Sequence, residues 1–379
     1  MENEQKLEKT YQNMWIAGID DRRYDITISS GRFTSIKEAK GSFSGQNFTT
    51  GDLWISPGLI DMHTHLAWTD FDHQDQERRD AHEIEVMQAR AFTATLKTGV
   101  TTVRDAGGLL PVTAEFLSRH YEQPLKVIAC AGMLGSEDAK GSDYLEQRVM
   151  EISKTGGAWI KIFAAGGLGA SSDRVLEPLF SKQEFFSIVN SAHSCNKKVM
   201  VHTWGGTTLD WAMEARADSV EHGVYLTKRQ AEDLAYLRIP YIPTTAIYRI
   251  AAEADGVLGL SRKLRDRAAR AGQAHQEAVR NAKEAGVQIV FGTDFATPAL
   301  HGNNLEELYT LMDCGLTREE AWKAATETAA EVLGYGHTLG QVKEGFTADA
   351  VIYRQNPYHA KNAKELKENI VSVITGTLQ

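Results

Sequence analysis

From residue 50 onward the chain alternates between two textures. Short, nearly unbroken apolar runs recur: "LIDM" (59–62), "GVTTVRDAGG" (99–108), "LKVIACAG" (125–132), "AWIKIFAAGG" (158–167), "KVMVHTW" (198–204), "SVEHG" (219–223), "IPYIPTTA" (239–246) and "VQIVFGTD" (287–294). Between them lie segments whose apolar residues return every three to four positions, such as "HEIEVMQARAFTATLKTG", "SKQEFFSIVNSAHS" and "TKRQAEDLAYL". That period, with Ser, Thr or Pro at the starts and Gly at several ends, predicts helices. The unbroken runs predict strands buried on both faces, as in a parallel sheet. Eight such strands alternating with helices predict an α/β fold, a (β/α)8 TIM barrel over residues 55–337, with an open doubly wound sheet as the alternative.

The two ends read differently. "YDITISSGRFTSI" near the start and "ADAVIYRQ" and "NIVSVITG" near the end alternate apolar with polar residues between Gly and Ser breaks, which suits antiparallel strands. Residues 1–54 and 338–379 are therefore expected to pair into one small β-sandwich domain beside the barrel. No repeat of fixed period and no low-complexity tract is present.

Composition narrows the function classes. With 41 basic and 50 acidic residues the formal charge is −9, and no long basic run exists, which argues against nucleic acid or an anionic membrane as partner. No stretch of about 18 apolar residues offers a membrane span. The opening "MENEQKLEKTYQN" lacks the apolar core of a signal peptide, so a cytoplasmic location is expected. Cys130, Cys195 and Cys314 are far apart without CxxC spacing, and are expected to be reduced and buried rather than disulfide-bonded or zinc-binding. The expected partner is a small-molecule substrate, with a homo-oligomer left open.

The chemistry gathers at the ends of the apolar runs. In "PGLIDMHTH" the pair His63 and His65 sits one residue apart, so in an extended chain both rings face the same way and can share a metal. Alone, such a pair is often two polar residues at a strand end. Lys161 in "WIKIF", His202 and His222 at the ends of the fifth and sixth runs, and Asp294 after "VFGT" occupy equivalent places. The carboxyl ends of barrel strands are where catalytic groups collect. Four imidazoles and a carboxylate suit zinc or a similar divalent metal. A buried Lys161 ammonium beside dications would be repelled, whereas its carbamate with carbon dioxide would be an anion able to bridge two metals. A hydroxide shared by two metals would be nucleophilic at neutral pH, and Asp294 could take its proton and deliver it to the leaving group.

These residues resemble the amidohydrolase superfamily in its binuclear-metal branch. The resemblance runs from the N-terminal β segment through "PGLIDMHTH", "GVTTVRDAGG", "WIKIF", "VMVHTW", "VEHG" and "FGTD" to "LTREEAWKAATETAAEVLG" and "LGQVKEGFTADAVIY". It implies that His63 and His65 hold the more buried metal with Asp294, that His202 and His222 hold the second, and that carbamylated Lys161 bridges them. "PTTAIY" and "HGNNLEEL" look most like the imidazolonepropionase-related, prolidase-like group, in which Tyr248 and His301 would face the substrate as hydrogen-bond donors to the developing oxyanion. One departure stands out: where dipeptidases of that group carry Gly-Gly-His-Gly after the third strand, this chain has "MLGSEDAKGSD".

Trp68 and Trp204 flank metal ligands and are candidate pocket walls, ordinary packing being the alternative. Arg104 and Asp105 are expected to form a buried ion pair rather than to touch substrate. His73, His82 and His193 are expected on the surface or on helices. The glycines of "AAGGLGASS" lack the Lys-Ser/Thr of a P-loop and read as a turn giving access to the site, and the basic residues of "SRKLRDRAAR" read as a solvated helix face. The expected function is hydrolysis of an amide bond in a small amino-acid derivative, dipeptide-like molecule or cyclic amide. Lactone or phosphoester hydrolysis by the same metals is the alternative, and a non-catalytic barrel is disfavoured because every ligand position is filled.

Overall fold

The computed structural model describes residues 8–19, 21–40, 53–71, 73–122, 124–170, 172–253 and 258–376. Residues 1–7, 41–52 and 377–379 of the expected small β domain lie outside the described residues.

The chain ends meet in one six-stranded sheet. Its strands are β1 (Glu8–Ile16), β2 (Arg23–Ser29), β3 (Arg32–Glu38) and β4 (Trp54–Pro57), joined by two strands from the C-terminal segment, Ala350–Tyr353 and Ile370–Ile374. The β1–β4 pair is parallel and the other pairs are antiparallel. Alternation places Met14, Ile16, Ile26, Phe33, Ile55 and Ile352 on one buried face.

The middle of the chain is TIM-barrel-like α/β. β5 (Leu59–Thr64), β6 (Val100–Asp105), β7 (Lys126–Ile128), β8 (Cys130–Leu134), β9 (Trp159–Phe163), β10 (Lys198–Thr203), β11 (Ser219–His222) and β12 (Tyr241–Ile242) are all parallel to their neighbours. β7 bonds only to β6 and β8 only to β9, so the third apolar run is a single stave bent at Ala129. The eighth run forms two isolated bridges rather than a regular strand. It still links both neighbours: Tyr241 N donates to Gln288 O at 3.0 Å, while Met62 N donates to Phe291 O at 2.9 Å and His65 N to Phe295 O at 2.9 Å. The approach is close enough that a Cβ on Gly292 would lie 2.4 Å from Ile242 Cγ2 and 3.0 Å from the His63 nitrogen, so only glycine fits.

The seventh run is shorter than its apolar length suggests. Thr244 adopts φ 58°, and a helix starts at once as Thr245–Ala252 because the Glu307 carboxylate accepts from the Thr245 and Ala246 nitrogens at 2.9 and 2.6 Å. Between the staves, helices such as Ala81–Leu96, Lys182–Ser194 and Lys228–Leu237 carry apolar stripes onto the outer strand faces. Ser181 and Thr227 cap two of them through capping boxes. Among the described residues no helix is long and apolar enough to cross a membrane. All three cysteines are free; Cys130 and Cys314 are buried as expected, but Cys195 is only half-buried, because it caps the end of a surface helix.

Candidate active site

The six expected ligand residues converge at the carboxyl ends of the staves. His63 on β5 and His65 just past its end each approach Asp294 Oδ1 with their Nε2 at 3.3 Å. Lys161 Nζ, from the middle of β9, lies 3.2 Å from His63 Nε2. The His202 and His222 rings are 4.4 Å apart, and His63 and His222 4.9 Å apart, centre to centre. His63, His222 and Asp294 each offer a donor atom, and these atoms lie within 4.8 Å of one another.

Each imidazole has one nitrogen committed outside this centre. His63 Nδ1 is 2.5 Å from Glu221 Oε2, His65 Nδ1 is 2.9 Å from Gly107 O, His202 Nε2 is 3.1 Å from Gly166 O, and His222 Nδ1 is 2.8 Å from Thr244 Oγ1. With those nitrogens donating, the opposite nitrogen of each ring keeps its lone pair, which is how outer partners fix the tautomer of a metal-binding histidine. Burial reinforces this. It lowers His65, pushes His202 down to about 3 with help from the Lys161 charge, and holds His222 well below its ordinary value. Burial also brings Lys161 down to about 8, against the opposing pull of Glu221 and Asp294. For Asp294, burial raises the carboxyl pKa, but His222, His63 and His65 more than reverse it and hold the group well below the carboxylate range. Imidazoles held with a nitrogen turned toward the centre, an ionised carboxylate and a lysine that readily loses its proton fit divalent transition metals.

The backbone is strained where these ligands turn inward: His222 has φ 69° and Asp294 φ 56°, outside the usual range for residues with a Cβ. Each such conformation costs on the order of 1–3 kcal/mol and is typical of functional sites.

Below the ligands lies a group that reading the sequence missed. Glu221 accepts from Arg104 Nη2 at 2.8 and 2.9 Å, from Ser219 Oγ at 2.5 Å and from His63 Nδ1, all with no exposure. Burial raises its carboxyl, yet Arg104 and His63 bring the pKa down to about 2. Arg104 thus has its buried partner in Glu221 and not in Asp105, which accepts instead from the Leu66, Gly107 and Leu109 nitrogens. His82 is exposed on a helix, and His193 pairs with Asp218 at 2.9 Å; the side chain of His73 lies outside the described residues.

A cavity of about 770 Å³ opens above the centre and is lined by all six of these residues and by residues of the surrounding loops. Trp68 is on its wall, stacked on His65 with ring centres 3.9 Å apart. Tyr248, His301 and Trp204 are not. Because the helix begins at Thr245, Tyr248 is buried edge-on against Trp204 and His275, 5.6 and 5.1 Å between centres. The turn closed by His301 N on Thr297 O tucks His301 against Thr95 Oγ1 at 3.3 Å. These three residues back the cavity rather than face it. The helix expected to be solvated also departs: Arg267 is only 4% exposed, although Arg262 and Lys263 are exposed as expected.

Comparison with known proteins adds to this geometry. Residues 54–376 match the Amidohydrolase family. A stretch of 220 residues is 30% identical to ochratoxinase from Aspergillus niger; it spans 58% of this chain but only 45% of that enzyme's length. Imidazolonepropionase from Chromobacterium violaceum is 24% identical over 362 residues, covering 82% of this chain and 79% of the relative. A prolidase solved in complex with N-methylphosphonate-L-proline superposes with a TM-score of 0.88 at 20% identity, over 98% of this chain and 99% of that one.

Proposed function

The chain belongs to the amidohydrolase family, and from that membership we propose that it hydrolyses the carbon–nitrogen bond of an amide in a small amino-acid derivative, a dipeptide-like molecule or a cyclic amide. The observation that carries this reading is the convergence of four histidines with outer-partner-fixed tautomers, Asp294 and Lys161 on the floor of one cavity. His63, His65 and Asp294 would hold one divalent ion, zinc or similar, and His202 and His222 a second, with Lys161 between them as its carbamate. Ions bound there supply Lewis-acid polarisation of the carbonyl and lower the pKa of water.

The protein's own groups do the rest. Asp294 is ionised and its side chain retains 25% exposure, so it can accept the proton of the attacking water and return it to the leaving nitrogen. Lys161 titrates near 8, which leaves a fraction of free amine at neutral pH. Its nitrogen lone pair adds to the carbon of carbon dioxide, the ammonium proton is lost to solvent, and an anionic carbamate results. Glu221 and Arg104 hold His63 in orientation from beneath. Tyr248, kept protonated because burial raises its hydroxyl well above 10, supports the site from the layer behind.

On the same reading residues 55–337 form a closed (β/α)8 barrel, and residues 1–54 with 338–379 a small β-sandwich of which the six-stranded sheet is one layer. Three free cysteines suit a reducing compartment, in keeping with a cytoplasmic enzyme. The test is a panel of dipeptides, N-acyl amino acids, cyclic amides, lactones and phosphotriesters with the metal-reconstituted protein. Efficient turnover of an amide is expected. Turnover confined to lactones or phosphotriesters would overturn the reading.

A further inference from the structure

The segment "AAGGLGASS" after β9 meets the ligand set through the Gly166 carbonyl at His202 Nε2, and Gly166, Gly167, Leu168, Gly169 and Ala170 also form a wall of the cavity. A glycine-rich stretch would not hold one shape unaided, since its backbone is free and its carbonyls lack a ladder. Here they have a fixed partner. Arg267, on the helix Arg262–Ala285, is buried with its guanidinium turned onto the loop: Nη1 donates to Gly167 O at 3.2 Å, Leu168 O at 2.9 Å and Ala170 O at 2.5 Å. Nη2 donates to Ser172 O at 2.9 Å and to Asp173 Oδ1 at 2.7 Å. A planar fork of donors suits such a set of acceptors where a lysine's single point charge would not.

What the clamp holds in place is Leu168. Its side chain packs with Phe71 and Leu264 in one apolar cluster, and with Ile247 and Leu300 in another. All five line the cavity, and they come from five separate segments of the chain. None carries a polar atom on its side chain, and the guanidinium of Arg267 beside them is spent on the loop. We propose that Phe71, Leu168, Ile247, Leu264 and Leu300 form an apolar subsite for an uncharged hydrophobic group, aryl or branched alkyl, on one side of the scissile bond, and that Arg267 is the positioning residue that holds its wall. This rests on the amide-hydrolase reading for the reaction, but not for the binding preference.

The experiment uses the full-length, metal-loaded protein and two matched series. In the first, amides share one reacting carbonyl and vary the side group through methyl, isobutyl, benzyl and carboxymethyl. In the second, sulfonamides with the same groups, which cannot be hydrolysed as amides, are titrated by calorimetry. A hydrophobic pocket discriminates by about tenfold or more per well-placed methylene, so kcat/KM should rise at least about tenfold from methyl to benzyl, with carboxymethyl lowest, and the sulfonamides should bind in the same order. Leu168→Asp should abolish or reverse the benzyl preference. Arg267→Gln should erode it mainly through KM, and Arg267→Lys, which keeps the charge but not the fork, should retain part of it. A flat series, an unchanged preference in Leu168→Asp, or an Arg267→Gln protein whose kcat falls equally on every substrate would overturn the proposal. If no amide is turned over while the sulfonamides keep their order, the subsite stands and the amide-hydrolase reading fails.

Discussion

On the floor of the cavity, each of the four imidazoles proposed as metal ligands is tied at its second nitrogen to a partner from the fold, whether the buried Glu221, a backbone carbonyl or Thr244. On the wall, the side chains facing the same space are mostly apolar and come from loops and helices, held by packing and by the Arg267 clamp. The floor is built on strand ends, whose positions the backbone hydrogen bonds between parallel strands fix; the wall is built on connections that the strands anchor at their ends. The proposed function puts the reaction chemistry, which tolerates little misplacement, on the first, and the proposed subsite puts substrate choice on the second.

The largest effects should come from breaking the floor. Asp294→Asn keeps the shape but removes the base, and kcat should fall by about 10² to 10⁴. Metal content, by elemental analysis, should fall far less than activity. Turnover within a few-fold of the parent would place the base elsewhere.

Glu221→Gln strikes the support beneath the floor. It leaves the guanidinium of Arg104 buried without a counter-charge, and the loss of one partner from such a pair costs about 3–5 kcal/mol. Urea unfolding at pH 7 reads this directly, and an unchanged midpoint would contradict the assigned role.

His275 provides a pH signature for the same region. Its Nε2 donates to His222 O at 2.7 Å, and burial lowers its pKa from 6.5 to about 4. The unfolded chain therefore takes up this proton first, so the stability gained from keeping His275 neutral is complete above pH 6.5 and is lost as pH falls toward 4. The total is about 3 kcal/mol. His275→Gln should flatten the slope of unfolding free energy between these limits, whereas an undiminished slope would remove His275 as its source.

Wall and backing residues should give the smallest effects. Trp68→Ala removes a ring stacked on His65, an interaction worth about 0.5–1.5 kcal/mol, so KM should rise several-fold with kcat little changed. Tyr248→Phe sharpens the comparison further. A residue that backs the cavity should alter kcat/KM by less than about tenfold, and a loss on the order of 10² or more would mean that its hydroxyl reaches the reacting oxygen.

The same division separates what the sequence made legible from what it did not. His63, His65, Lys161, His202, His222 and Asp294 could be placed because each ends or interrupts an apolar run, and a parallel barrel brings all such ends to one face. Glu221 was hidden inside "SVEHG", although alternation along β11 sets it on the same buried side as Ser219, where an acid must find a cation. Arg267 was hidden in a charged stretch, yet it falls in helical register with Ala268, Ala271 and His275 on the buried stripe. Tyr248 was misplaced because the start of its helix is fixed by Glu307, a residue far along the chain that no local pattern reveals. The eighth stave was read as a regular strand because its apolar pattern is regular, while Gly292 and the turn at Asp294 break its ladder.

The most direct test of the central claim is to measure metal content and amide turnover together on one preparation, stripped by chelation and then titrated with zinc. The account predicts that activity on the best amide in the panel is lost on stripping and returns as bound zinc approaches two ions per chain, with a carbamate signal at Lys161 when the protein is reconstituted with ¹³C-labelled carbon dioxide. Full activity in the stripped protein, or saturation at one ion with Lys161 unmodified, would contradict it.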